Sequence, residues 1–94
     1  MTRSVRLVAA AQDDFSRLVD FLAERNLRAA NEAARAISEA VLSLTEFSER
    51  GHPGKREGFR ELVVRFGRDG YVIRYRVIDQ LVIVLRIYHG KEIR

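Results

Sequence analysis

Arginine recurs through the last third of the chain at spacings that set it on one side of extended backbone: Arg74 and Arg76 in one run, Arg86 in the next, with Tyr88 two residues on. A guanidinium forks onto a carboxylate or phosphate through paired N–H groups, so a face that repeats it suits an anionic partner. Arg60 lies upstream in a run of the same kind, beside Glu61, and is a candidate for the same contact or for half of a structural ion pair. A second group of cations, His52, Lys55 and Arg56, falls between Glu49 and Gly58 among three glycines and the only proline. Such a loop can cradle phosphate, but this one lacks the Gly-Lys-Ser/Thr of a phosphate-binding loop and does not lead from a strand into a helix.

Charge follows the same division. Residues 1–50 hold 7 Arg and 8 Asp+Glu, 7 − 8 = −1, whereas residues 51–94 hold 10 Lys+Arg and 5 Asp+Glu, 10 − 5 = +5. The basic half implies an anionic partner, either nucleic acid or an acidic protein. Cysteine is absent, which excludes disulfide frameworks and cysteine-based zinc sites and fits a reducing cytosol. No metal or cofactor is expected. The longest apolar runs, Leu7 to Ala11 and Leu81 to Leu85, are too short to cross a membrane, so a soluble protein with no membrane partner is expected. At 94 residues the chain, 1–94, is expected to form a single domain.

The elements that must position the arginines follow from periodicity. Val5, Leu7 and Ala9 alternate with Ser4, Arg6 and Val8, which predicts an opening strand over 3–9. From Ala11 the period changes: Phe15, Leu18, Val19 and Leu22 make a helical stripe ending near Glu24 or Arg25, with Asp13 and Asp14 expected in the first turn, where the helix dipole favours them. Asn26 is a good cap for a second helix, expected to run to about Ser48 with Ala30, Ala33, Ala34, Ile37, Ala40, Val41, Leu44 and Phe47 inward. After the loop at 49–58, period two returns in three strands beginning at Phe59, Tyr71 and Leu81. The expected fold is α+β: an N-terminal strand, an antiparallel helical hairpin and a three-stranded antiparallel meander (β-α-α-β-β-β), with the helices on one face of the sheet.

Two rules conflict over the last hairpin. A tight turn at Asp79-Gln80 pairs Ile78 with Leu81 and sets Ile83 opposite Arg76. Matching apolar faces instead puts the odd-numbered residues of both strands inside. The apolar match predicts a bulged or odd-length connection near 78–81, leaving Arg74, Arg76, Arg86 and Tyr88 outside with Val72, Val82 and Val84. It also turns His89 toward the core with Ile87, as a structural histidine, and makes Tyr71 and Tyr75 core residues with hydroxyls at the rim.

The ordered set Gly-Phe-Arg-Glu-Leu-Val-Val, Tyr-Val-Ile-Arg-Tyr-Arg-Val and Val-Leu-Arg-Ile-Tyr-His-Gly, following a helical hairpin, resembles the ParE/RelE toxin superfamily over nearly the whole chain, most closely the ParE branch. The resemblance implies the toxin of a type II toxin–antitoxin system of the plasmid-stabilising kind, held in a cytoplasmic hetero-oligomer by an acidic ParD-like antitoxin. Toxins similar to ParE are implied to inhibit DNA gyrase by binding it. Those similar to RelE are implied to be ribosome-dependent mRNA endoribonucleases. In the RelE branch an arginine follows the last Gly-Lys and a catalytic tyrosine lies beyond, whereas here Gly90-Lys91 is followed by Glu92 and the sequence reaches only Arg94. The gyrase branch is therefore expected, with Arg60, Arg74, Arg76, Arg86 and Tyr88 as antitoxin- or target-binding residues. A further ribonuclease branch groups arginine, histidine and tyrosine near its end; on that alternative Arg86, Tyr88 and His89 are the catalytic candidates, His89 as the proton carrier.

Overall fold

In the computed structural model, which describes residues 2–92, the chain runs β1 (Ser4–Leu7), α1 (Ala9–Ala23), α2 (Leu27–Ser43), β2 (His52–Pro53), β3 (Phe59–Val64), β4 (Tyr71–Ile78) and β5 (Leu81–His89). The strands form one sheet in the order β1-β5-β4-β3-β2. The meander β3-β4-β5 is antiparallel, and β1 lies parallel to β5 at one edge. Both helices pack on one face, where Leu18, Ile37, Val41 and Leu44 meet Leu62, Ile73, Tyr75, Val82, Val84 and Ile87.

The α+β architecture is as the periodicity predicts, with five strands rather than four. The loop at 49–58 contributes β2, whose His52 and Pro53 pair with Glu61 and Arg60. Proline cannot donate to a ladder, so two residues at a sheet edge is where it fits a strand. The cap at Asn26 is present, its side-chain oxygen accepting from Ala29 N–H at 3.1 Å. The second helix ends at Ser43, before Phe47, which is 62% exposed rather than in the core. The first helix begins at Ala9, two residues earlier than expected, so Asp13 and Asp14 lie past the first turn and take no part in capping it.

The β4–β5 register overturns the apolar-matching expectation. Ile78 pairs with Leu81 and Arg76 with Ile83, so the connection is the tight Asp79-Gln80 turn, with Asp79 in the left-handed region at φ 53°. The irregularity falls within the ladder instead: Tyr75 pairs with Val84 but Arg74 with Arg86, leaving Leu85 as the extra residue. Val82 and Val84 are consequently fully buried, and Ile83 takes the outer position. Beyond the bulge the parity of β5 reverses, which returns Ile87 to the core and Arg86 and Tyr88 to the outer side. Strand β5 is apolar at both parities from Leu81 to Leu85, so its pattern does not distinguish the registers, and the turn decides.

Candidate functional site

The sheet face opposite the helices is crossed by two rows of side chains that the register places side by side. One row runs Arg6, Ile83, Arg76 and Phe59 across β1, β5, β4 and β3; the other runs Arg86, Arg74, Glu61 and His52 across β5, β4, β3 and β2. Of the residues expected on this face, Arg74, Arg76, Arg86 and Tyr88 are brought together there. Arg60 is not, because alternation along β3 turns it inward. Its guanidinium donates to the backbone oxygens of Glu49 and Gly51, so it ties down the segment before β2. Tyr75 fastens the same segment, its hydroxyl donating to Ser48 O at 2.8 Å and accepting from Gly51 N–H at 2.9 Å.

The outer arginines fall into two electrostatic classes. Arg74 holds the buried Glu61 carboxylate at 3.1 Å, and its guanidinium lies 5.4 Å from the centre of the Tyr88 ring. Arg86 flanks the same ring at 5.3 Å while its Nε and Nη2 donate to the two oxygens of Asp14 at 2.8 and 3.1 Å. Tyr88 is thus enclosed between two cations already matched by carboxylates. Arg76 makes no ion pair among the described residues and lies 5.5 Å from the Phe59 ring, beside Arg56 at 5.8 Å.

Asp14 carries an unforeseen role. Beyond Leu7 the edge of β5 has no strand beside it, and α1 passes there instead. Asp14 accepts the free Ile87 N–H at 2.9 Å, and Glu92 accepts the next edge-facing N–H, that of His89, also at 2.9 Å. Arg17 links the two carboxylates, 3.5 Å from Asp14 and 3.3 Å from Glu92. Side chains therefore complete the edge that β1 is too short to cover. Burial pushes the Asp14 carboxyl up, but the hydrogen bonds from Arg86 and Ile87 N–H and the charge of Arg86 outweigh it and hold it below the ordinary carboxylate range. Asp14 stands three residues after Ala11 and four before Leu18, both buried, so its place in an apolar helical stripe was the available signal.

His89 lies on the opposite side of β5 from Arg86 and Tyr88, paired with Tyr71 and packed edge-on to it with ring centres 5.9 Å apart. Its Nδ1 accepts from Lys91 N–H at 3.1 Å. The ring lines a groove of about 660 Å³ with Leu18, Phe21, Phe66, Tyr71 and Arg68. Burial raises the Tyr71 phenol above its usual range. Among the described residues no group of His, Cys, Asp and Glu is arranged to hold a metal ion, and no helix is long and apolar enough to cross a membrane.

Comparisons with known proteins agree with this fold. The toxin named RelE1 from Caulobacter vibrioides is 42% identical over 94 residues, covering all of both chains, and RelE3 of the same organism is 37% identical over 92 residues, 98% of this chain and 99% of its own. Among solved structures, the chromosomal ParDE toxin–antitoxin system from P. aeruginosa superposes with a TM-score of 0.83 at 22% identity, over 96% of this chain and 98% of that one. The RelBE2 toxin–antitoxin complex from Mycobacterium tuberculosis gives 0.66 at 24% identity, over 95% and 99%. Those two show the shared fold. The family model described as the ParE toxin of the type II toxin–antitoxin system parDE matches residues 5–94, and the chain belongs to that family, within the ParE/RelE superfamily of type II toxins.

Proposed function

We propose that this toxin acts by binding DNA gyrase rather than by cutting RNA, and that a ParD-like antitoxin neutralises it in a cytoplasmic hetero-oligomer. The observation that carries the reading is the state of the basic face. Arg74 and Arg86 are matched by Glu61 and Asp14, Tyr88 is enclosed between them, and His89 points to the other side of the strand. Cleavage of RNA through the 2′-hydroxyl needs a base, an acid and free cations converging on one phosphate. The three candidates Arg86, Tyr88 and His89 do not converge, whereas a protein-binding toxin needs only complementary surface.

Two observations favour the alternative, a ribosome-dependent mRNA endoribonuclease. The relatives carry the RelE name, and His89 lines a groove with Tyr71 and with side chains of both charges, Arg17, Arg68, Asp69 and Glu92. A supercoiling assay with purified gyrase separates the two. Loss of supercoiling at toxin concentrations that leave a translating ribosome's message intact is expected. Intact supercoiling together with message cleavage that His89→Gln abolishes would overturn the gyrase reading.

A further inference from the structure

Between α1 and the β3–β4 turn, the groove that His89 lines carries hydrogen-bond donors with no acceptor. It encloses about 660 Å³, within the range of sites that take small molecules. One wall comes from α1, through Leu18, Phe21 and Leu22. The other is a run of rings, Phe66, Tyr71 and His89, with successive centres 5.7 and 5.9 Å apart. Arg25 lies 3.8 Å from the centre of the Phe21 ring and donates to Phe21 O, so this exposed ring is held in place at the mouth. Tyr71 is only 3% exposed, yet its hydroxyl makes no hydrogen bond among the described residues, and burial alone raises the phenol above its usual range. A buried tyrosine hydroxyl ordinarily has a partner, as that of Tyr75 has in Ser48 O and Gly51 N–H. His89 adds a second donor: its Nδ1 accepts from Lys91 N–H, which leaves the ring proton on Nε2. On the rim Arg17 holds Glu92, and Lys91 stands 3.8 Å from Asp69, whereas Arg68 has no ion pair among the described residues.

We infer that this groove is a binding site for a small aromatic carboxylate, its ring between Phe21 and Phe66, its oxygens accepting from the Tyr71 hydroxyl and His89 Nε2–H, and Arg68 supplying the counter-charge at the rim. The uncommitted polar groups are a phenol, an imidazole N–H and a guanidinium. All three donate, and the one charge among them is positive, so the polar end of the ligand is an acceptor with a single negative charge. The apolar end meets aromatic rings on both walls, which favour a flat ring by offset or edge-on packing. A nucleic-acid strand fits poorly. Its phosphates need a series of free cations along the path, whereas here one is free and the carboxylates of Asp69 and Glu92 stand on the same rim. The site lies on the other side of β5 from Arg86 and Tyr88, and the inference does not rest on the gyrase reading, because binding is measured on the toxin alone.

The test titrates the full-length, isotope-labelled toxin with cinnamate, with cinnamyl alcohol, which keeps the ring and chain but not the charge, and with octanoate, which keeps the carboxylate but not the ring. Amide NMR shifts report both affinity and place. Cinnamate is expected to bind at least tenfold more tightly than either of the others, moving the amides of Phe66, Tyr71 and His89. Because this comparison is made on the wild-type chain, misfolding of a variant cannot imitate it. Tyr71→Phe is expected to weaken cinnamate at least tenfold, since a hydrogen bond to a charged group is lost. The same change should leave the thermal midpoint at or above that of wild type, because the hydroxyl has no partner within the protein to lose. His89→Phe keeps a ring and removes the donor, and should weaken cinnamate similarly. Arg68→Gln removes an exposed charge and should weaken it about threefold, while Arg35→Gln on the outer side of α2 leaves it unchanged. Equal binding of cinnamate and cinnamyl alcohol, tighter binding of octanoate, or full affinity in Tyr71→Phe, which would mean that water alone meets the hydroxyl, overturns the proposal. Displacement of cinnamate by a uridine 12-mer would also overturn it and assign the groove to RNA.

Discussion

Replacing Asp14 tests how the sheet edge is completed. In Asp14→Ala the buried Ile87 N–H loses its acceptor, and an unmet buried donor costs about 1–3 kcal/mol. The same change removes the bidentate contact with Arg86. That side chain is 44% exposed and regains water, so its share is discounted to about 1 kcal/mol, as for other solvent-accessible pairs. The expected loss is therefore about 2–4 kcal/mol. At roughly 4–8 °C per kcal/mol for a domain of this size, a 3 kcal/mol loss lowers Tm by about 12–24 °C. Asp14→Asn keeps an oxygen for Ile87 N–H and gives up mainly the ion pair, so about 1 kcal/mol is expected. Urea titration of the three proteins, read by circular dichroism, gives the order wild type, Asn, Ala. The pH dependence has a definite sign. The Asp14 carboxyl is held below its ordinary value, near 3.9 in an unfolded chain, so its contribution is fully present above about pH 5. As pH falls through the depressed folded value the advantage of wild type over Asp14→Asn shrinks. An Ala variant within 0.5 kcal/mol of wild type (about one third of the factor-of-ten energy), or an Asn variant as unstable as Ala, would refute the edge-capping account, and a pH-independent wild-type advantage would refute the charge contribution.

Other substitutions separate backbone packing from surface chemistry. In Gly90→Ala the new methyl would run into Asp69 O, a backbone atom, so a loss of about 3 kcal/mol or more is expected in thermal denaturation. Gly67→Ala, at φ 57° with nothing within 4 Å, should lose only about 1 kcal/mol from left-handed strain, and equal losses at the two sites would contradict the packing argument. Tyr75→Phe strips a buried hydroxyl from Ser48 O and Gly51 N–H; about 1–3 kcal/mol of stability and faster Gly51 amide exchange should go together, and unchanged exchange would show that the hydroxyl does not hold the loop. Arg60→Met should lower the urea midpoint while leaving antitoxin affinity within about twofold once the protein is folded, since its guanidinium is committed to Glu49 O and Gly51 O; a large affinity loss in a stable variant would place Arg60 at the partner instead.

Local pattern was enough for both helices and for four of the five strands, but not for the two-residue β2. The change from period two to period 3.6, expected at Ala11 and found at Ala9, and the cap at Asn26 are short-range features, each fixed by a few neighbouring residues; the Asp79-Gln80 turn is equally local, but the expectation set it aside for the apolar match. The resemblance in the strand motifs was legible for the same reason, since those motifs are contiguous. Pairing was not. Strand β5 is apolar at both parities from Leu81 to Leu85, so the sequence admits two registers, and the inward set changes from Ile83 to Val82 and Val84 with the choice. The parallel placement of β1 beside β5 joins residues 77 positions apart.

The division among the arginines was hidden still more completely. All are alike in sequence, but Arg60 turns inward to backbone carbonyls, Arg74 meets Glu61 across one strand spacing, and Arg86 meets Asp14 72 residues away. Composition and spacing determined a basic-faced α+β domain of recognisable kind. Which cations remain free for a partner was decided only by the tertiary structure, because a carboxylate matches a guanidinium by distance in space and not by separation along the chain.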